Sequence, residues 1–135
     1  MKILFLGQNP ALAVRSIGED RAFFNTRSGK ILFGWLKEAK VPMEMCSFEN
    51  VYPHFTASNA CPKISQVDLG RLENIIKSYN SLVVLGKFAA KAVKKIDVTN
   101  VKIVHVEHPS GLNRNLNNVE THLECIKKIR EAMGA

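Results

Sequence analysis

Two short polar segments of this chain carry side chains that could do chemistry, and each follows an apolar run. The segment HPSGLNR (108–114) comes just after the apolar run 101–106, and the segment GQNPA (7–11) comes just after the run 3–6. A proline in each segment fixes a backbone φ angle and removes a hydrogen-bond donor, which stiffens the turn. Because ligands of open α/β sheets bind outside the carboxyl ends of the strands, we expect both segments to face one crevice.

Four apolar runs alternate with four amphipathic segments along the chain, and these elements must position the two polar segments. The predicted strands cover 2–6, 43–51, 81–85 and 101–106, and the predicted helices cover 29–40, 64–79, 87–96 and 118–132. Ser28 is the predicted N-cap of the first helix. This alternation is typical of a parallel sheet with helices on both faces. We predict an α/β fold, a single three-layer α/β/α domain over residues 1–135 around a central four-stranded parallel sheet.

Two irregular stretches interrupt this alternation, at residues 7–26 and 52–63. Neither has a clean hydrophobic period, and prolines punctuate both of them. The first stretch is long for a compact domain, and loops of that length are usually functional. We therefore predict a functional loop over residues 7–26.

The composition is that of an ordinary globular domain with an excess of positive charge. Apolar residues make up 46% of the chain, which argues against disorder. Lysine and arginine together number 19 against 12 acidic residues, and the formal net charge is +7. Such an excess fits a polyanion such as DNA, because each neutralised phosphate releases counterions. Small basic domains that never bind nucleic acid have the same charge balance, so the charge alone does not decide the partner.

The three cysteines (Cys46, Cys61 and Cys125) are far apart and form no C-x-x-C pair or Cys/His cluster. The spacing therefore favours neither a zinc site nor an iron–sulfur cluster, and we expect no metal and no organic cofactor. Three reduced thiols indicate a reducing compartment. The first apolar run lacks the features of a signal peptide, and no stretch approaches the roughly 20 apolar residues that span a bilayer. We expect a cytoplasmic protein without membrane contact.

The chain resembles the uracil-DNA glycosylase superfamily over nearly its whole length. The segment 7–11 is similar to the first motif of that superfamily, and 108–110 is similar to the second. The segment 111–114 is similar to the Gly-Leu-Ser-Arg loop of the mismatch-specific branch, with Asn113 in place of the serine. Further similar stretches lie in between, at 23–30, 47–51 and 85–90.

The branch within the superfamily stays open because the features are mixed. The pair of Asn9 and His108 is most like the single-strand-selective monofunctional branch, whereas 111–114 is like the mismatch-specific branch. The thermostable branch carries four cluster-ligating cysteines, and this chain has only three cysteines in all.

The resemblance implies cleavage of the N-glycosidic bond of a base that is flipped out of the DNA stack. It implies that His108 donates a hydrogen bond to the base oxygen that gains negative charge as the bond breaks, in the manner of an oxyanion hole. It also implies that Asn9 positions the attacking water, although a carboxamide cannot take up a proton as a carboxylate can. Asn9 could alternatively do no more than start a turn before its proline.

Base-binding roles are implied for Gln8, Ala11, Phe24 and Asn50. Asn50 could read the Watson–Crick edge because its amide offers both a donor and an acceptor, or it could only close its strand. Phe24 would stack on the extruded base, with Phe23 as the neighbouring alternative, although both could instead be core residues. Ala11 leaves open a space that a tyrosine fills in the most uracil-restricted branch, so we expect 5-substituted uracils such as 5-hydroxymethyluracil to be accepted.

DNA-binding roles are implied for the residues that follow His108. Ser110 would hold a flanking phosphate, and Leu112 on the Gly111 turn would fill the gap left in the duplex. Arg114, next to Asn113, would be a second probe or a phosphate contact. The other three histidines (His54, His105 and His122) are expected to be structural.

The sequence thus favours a monofunctional DNA glycosylase that removes uracil or a 5-substituted uracil in base excision repair. We expect it to act as a monomer, at the nucleoid, on single- or double-stranded DNA. Two alternatives stay open. One is a glycosylase for another modified base, for example in viral DNA, and the other is a DNA- or nucleotide-binding module of the same fold without turnover.

Overall fold

The sheet of the computed structural model has four parallel strands in the order β2-β1-β3-β4. The strands are β1 (Ile3–Gly7), β2 (Cys46–Asn50), β3 (Ser81–Leu85) and β4 (Lys102–Val106). The structure describes residues 2–8, 27–52, 62–109 and 113–134. Every residue of the two central strands is buried, as expected for a parallel sheet covered on both faces. The four predicted strands are confirmed.

Within the described residues, four α-helices cover the sheet, two on each face. They are α1 (Arg27–Ala39), α2 (Leu69–Ile76), α3 (Gly86–Val93) and α4 (Val119–Ala132). Alternate residues of β1 belong to different cores: Ile3 and Phe5 pack with α1 and α4, whereas Leu4 and Leu6 pack with α2 and α3. This is the period-2 alternation of a strand between two layers. The predicted three-layer α/β fold is therefore confirmed.

The structure corrects the predicted element ends in three places. The first helix begins at Arg27, so Ser28 lies inside its first turn and is not the N-cap. The segment predicted as one strand over 43–51 is a 3₁₀ turn at Met43–Met45 followed by β2.

The helix predicted over 64–79 is also divided. Its first part is a 3₁₀ turn at Ile64–Gln66, and α2 begins only after Asp68. The Asp68 carboxylate accepts a hydrogen bond from the backbone N–H of Arg71 at 3.0 Å. Because an aspartate in this position satisfies a free N–H of the first turn, it starts a new helix there.

The chain changes direction across the sheet between β1 and β3. From β1 it moves to β2 on one side, and from β3 it moves to β4 on the other side. Ligands of open α/β sheets bind at such a switch point, beyond the carboxyl ends of the strands. The pairing continues slightly past β1, because the Gln8 carbonyl accepts a hydrogen bond from the Tyr52 N–H at 3.0 Å. Four positions therefore mark this edge of the sheet: Gln8, Asn50, Gly86 and His108.

Candidate functional site

His108 lies two residues beyond the end of β4 and packs against the end of β3. A Cβ atom built on Gly86 would lie 2.8 Å from the Cβ of His108 and 3.4 Å from its ring Cδ2. Gly86 also has a φ of +87°, a backbone conformation that favours glycine. The imidazole is thus placed beside the switch point although the chain attaches it to the edge strand.

Burial makes the neutral form of His108 the stable one at neutral pH. It lowers the pKa of this imidazole below its ordinary value of 6.5, because the charged ring would lose its hydration. A neutral imidazole keeps one N–H donor and one nitrogen acceptor. The site therefore offers a hydrogen-bond donor that carries no net charge.

The side chain of Asn113 forms a hydrogen bond back to the backbone of His108. Its amide nitrogen donates to the backbone carbonyl of His108 at 3.1 Å, and its amide oxygen accepts from the N–H of Asn115 at 3.1 Å. Both Asn113 and Asn115 also donate to the carboxylate of Glu107. Asn113 thereby caps the 3₁₀ turn Arg114–Asn117 and ties it to the histidine. This internal role was not predicted, and it uses the amide that was expected to contact DNA.

The side chain of His122 also holds the 3₁₀ turn Arg114–Asn117. The indole N–H of Trp35 donates to Nδ1 of His122 at 2.9 Å, and Nε2 of His122 lies 2.7 Å from the carbonyl of Leu116. Because an indole can only donate, Nδ1 must accept, so Nε2 carries the proton and donates to Leu116. The expectation that His122 is structural is confirmed. His105, by contrast, is exposed on β4, and His54 lies outside the described residues.

On the other side of the switch point, Asn50 ends β2 and is paired in register with Gly7. Only 4% of its surface is exposed. Arg71 of α2 donates to the backbone carbonyl of Asn50 at 3.4 Å and to the carboxylate of Glu49 at 3.1 Å. The guanidinium therefore fixes the strand end that carries Asn50. Sequence reasoning missed Arg71 and Glu49, because no local spacing connects two residues on different elements.

The predicted site residues fall into two groups. Gln8, Asn50 and His108 lie at one edge of the sheet, with Asn113 and the exposed Arg114 beside the histidine. The others lie outside the described residues, and their roles stay predictions: Asn9, Ala11, Phe23, Phe24, Ser110, Gly111 and Leu112.

A depression of about 560 Å³ lies beside this edge but outside the predicted crevice. Among the described residues, its lining comes from α3, β4, α4 and their flanks, and includes nothing from β1 or β2. The switch point instead lies between β1 and β3. We therefore do not assign this depression to the same site.

The sequence also predicts that the protein has no metal site and no membrane contact. Within the described ranges, no group of three His, Cys, Asp or Glu side chains could hold a metal ion, and the absence of a metal stays a prediction. In the same residues, no helix has the length and apolar character needed to cross a membrane.

The comparisons with known proteins agree with this fold. A family model described as the uracil DNA glycosylase superfamily matches residues 1–133. Among solved structures, the chain is similar to a crystal structure of a mimivirus UNG variant in complex with UGI, with a TM-score of 0.52 and 16% identity. The match covers 83% of this chain and 52% of that chain, so this protein spans about half the length of the mimivirus one. At this identity the likeness shows a shared fold. A search of curated proteins found no match.

Proposed function

The chain belongs to the uracil DNA glycosylase superfamily, and from this premise we propose that it is a monofunctional DNA glycosylase. Its proposed reaction is hydrolysis of the bond between deoxyribose and uracil, or a 5-substituted uracil, in a nucleotide flipped out of DNA. The observation that carries the proposal is the placement of His108. Its half-buried, neutral imidazole lies beside the switch point of the sheet, at the same edge as Gln8 and Asn50.

The chemistry needs a donor for the departing base. As the bond between the sugar carbon and the base nitrogen breaks, its electron pair goes to the base and the sugar becomes cationic. One water then adds its oxygen to the sugar carbon, and the proton it loses balances the charge of the base anion. A preorganised donor at the base oxygen stabilises this anion in the transition state.

His108 is proposed to be that donor. A neutral imidazole can donate one N–H and does not need to release a full proton to the base. Partial burial lowers the effective dielectric around the ring and so strengthens the hydrogen bond to a developing charge. Loss of one such donor typically lowers kcat by about 100- to 1,000-fold.

The remaining base-directed roles follow the family motifs. Asn50 is proposed to read the Watson–Crick edge with its amide, from a strand end that Arg71 holds in place. Gln8 lies beside it beyond β1. Asn9 would position the water, Phe24 would stack on the base, and Ala11 would leave room for a substituent at the 5-position.

Contact with DNA is proposed for the segment from Ser110 to Arg114 and for exposed basic residues near the same edge. Lys30 lies in the first turn of α1 and Lys87 in the first turn of α3, and both side chains are exposed. Together with a net charge of +7, they would neutralise phosphates. Leu112 would occupy the gap left by the flipped nucleotide.

The test is release of the base from oligonucleotides that carry uracil, 5-hydroxymethyluracil or hypoxanthine, single-stranded and in duplex. Abasic sites are detected by alkaline cleavage, and binding is measured separately. His108→Ala should lose about 100-fold or more in kcat with binding retained. His105→Ala is the matched control, because this exposed histidine lies on β4, just before His108 in the chain, and it should act like wild type.

Each other outcome contradicts part of the proposal. Equal activity of His108→Ala and wild type would remove the histidine from the reaction. Release of hypoxanthine only would favour a glycosylase for another base. Binding without any abasic product would favour a DNA-binding module of the same fold.

A further inference from the structure

We propose that Gly86 is a positioning residue for His108, because the missing side chain at the end of β3 lets the histidine segment pack directly on the backbone. The role in catalysis rests on the proposed function of His108, whereas the contact itself can be tested without any activity. The proposal gives the LGK segment at 85–87 a purpose that its sequence does not reveal.

A Cβ atom on Gly86 would collide with His108. The closest contact, at 2.8 Å, is to the Cβ of His108, and the ring atoms Cδ2 and Cγ lie further away at 3.4 and 3.5 Å. Rotation about χ1 moves the ring but leaves Cβ in place. A side chain at position 86 could therefore be accommodated only if the backbone of one of the two residues shifts.

The backbone of His108 is fixed on both sides. Before it, Val106 is buried and pairs in register with Leu85, the residue next to Gly86. After it, Pro109 is buried, and its ring restricts its own φ angle. The amide of Asn113 also holds the His108 carbonyl at 3.1 Å. Because these contacts hold the segment around His108 together, a collision at position 86 would move the whole histidine residue away from β3.

Glycine meets two separate requirements at position 86. Its φ of +87° is strained for residues that have a side chain, and the close approach of His108 leaves no room for a Cβ atom. Asparagine tolerates left-handed backbone better than alanine does, but it has the same Cβ atom. Comparing the two substitutions therefore separates backbone strain from the collision.

A displaced histidine should change two measurable quantities. A misplacement of about 1 Å in a catalytic group can cost on the order of 100-fold in rate. A ring pushed away from β3 would also be less buried, so the pKa of His108 should rise toward its ordinary value of 6.5.

The experiment compares wild type with Gly86→Ala, Gly86→Asn and a matched control, Gly134→Ala. Gly134 also has a positive φ, of 82°, but it lies beyond the end of α4 and away from His108. The first readout is titration of the His108 ring by NMR, and the second is kcat and KM on a uracil oligonucleotide. A nuclear Overhauser contact between the Gly86 α-protons and the His108 β-protons is measured in wild type.

Both Gly86 variants should lose about 10- to 100-fold in kcat with little change in KM, and their His108 titration should move upward. Gly134→Ala should leave both readouts unchanged. Wild-type kcat and titration in Gly86→Asn would overturn the proposal, and so would the absence of the Overhauser contact in wild type. If wild type releases no base at all, the titration and the contact still test the packing, so failure of the proposed function is seen separately. If Gly86→Ala does not fold, Gly86→Asn and the wild-type contact decide.

Discussion

The two sides of the switch point hold their polar side chains by different means. On the β3–β4 side, His108 is held by close packing on Gly86 and by the neutral amide of Asn113, and burial keeps its ring uncharged. On the β1–β2 side, Arg71 holds the end of β2 through an ion pair with Glu49, and these two side chains are 29% and 39% exposed. Packing is insensitive to salt, whereas a partly exposed ion pair is screened by it. The two sides should therefore respond to different conditions.

The largest expected effect is that of pH on the β3–β4 side. The unfolded protein binds a proton at His108 more readily than the folded protein does. The contribution of His108 to the free energy of unfolding is therefore fully present above pH 6.5, and it is lost as the pH falls through the lowered pKa. The free energy of unfolding should fall in that range by at most about 1.4 kcal/mol per pH unit for this one group. Base release should be constant at neutral pH and decline over the same acidic range.

Urea denaturation and activity between pH 5 and 8 check this, with His108→Gln as the control for stability. The control is needed because the pKa of exposed His105 is also lowered, by burial and by the charges of Lys128 and Lys94. A wild-type profile identical to that of His108→Gln would contradict a lowered pKa and a neutral ring at His108.

The next effect concerns the turn beside His108. His122→Phe removes the acceptor of the Trp35 N–H and the donor to the Leu116 carbonyl. Leaving such partly buried groups unpaired should lower the free energy of unfolding by about 1–3 kcal/mol. Arg114 is the first residue of the same turn. Loosening of the turn would displace its proposed DNA contact, so cleavage of duplex DNA should fall more than cleavage of single strands. Equal losses on both substrates would limit His122 to a role in stability.

A smaller effect is expected on the β1–β2 side. Arg71→Met should free the end of β2 and raise KM several-fold, because a partly exposed ion pair contributes only about 0.2–1 kcal/mol. Added salt should also raise the KM of wild type, because it screens the same ion pair. It should raise the KM of the variant less. A double-mutant cycle with Glu49→Gln measures the coupling. A fall in kcat without a change in KM would break the proposed division between the two sides.

The smallest effect is expected far from both sides. Gly34 lies on the exposed face of α1, with nothing within 4 Å of an added Cβ. Gly34→Ala should raise the free energy of unfolding by about 0.5–1 kcal/mol, because alanine is the better helix former. Thermal denaturation measures this gain, and base release should stay at the wild-type level. A change in activity would mean that the two sides are less independent of the helical layers than the packing indicates.

In the described part of the chain, hydrophobic periodicity was sufficient to predict the order of strands and α-helices, because each strand and each helix has its own period. It placed β3 at its observed ends, yet it merged the 3₁₀ turn and α2 over 64–79, since apolar residues continue across Asp68. The edge of the sheet that carries Gln8, Asn50 and His108 followed from the parallel topology.

The contacts that hold these residues could not be predicted in the same way. That Gly86 meets His108 depends on β3 lying next to β4, and on the chain bending back after β4. That Arg71 reaches Asn50 depends on how α2 is placed on the sheet. Neither relation leaves a pattern of spacing in the sequence, because both join elements only after they have packed.

The order of the strands also governs when this protein can fold during its synthesis. Of the four described strands, β1 is made first and takes a central place, and one of its two partners, β3, is made much later. Parallel pairings between distant parts of a chain are slow to form, and their apolar strands are exposed to aggregation meanwhile. The apolar Ile3–Leu6 run therefore gains this second partner strand only after Leu85 has been made.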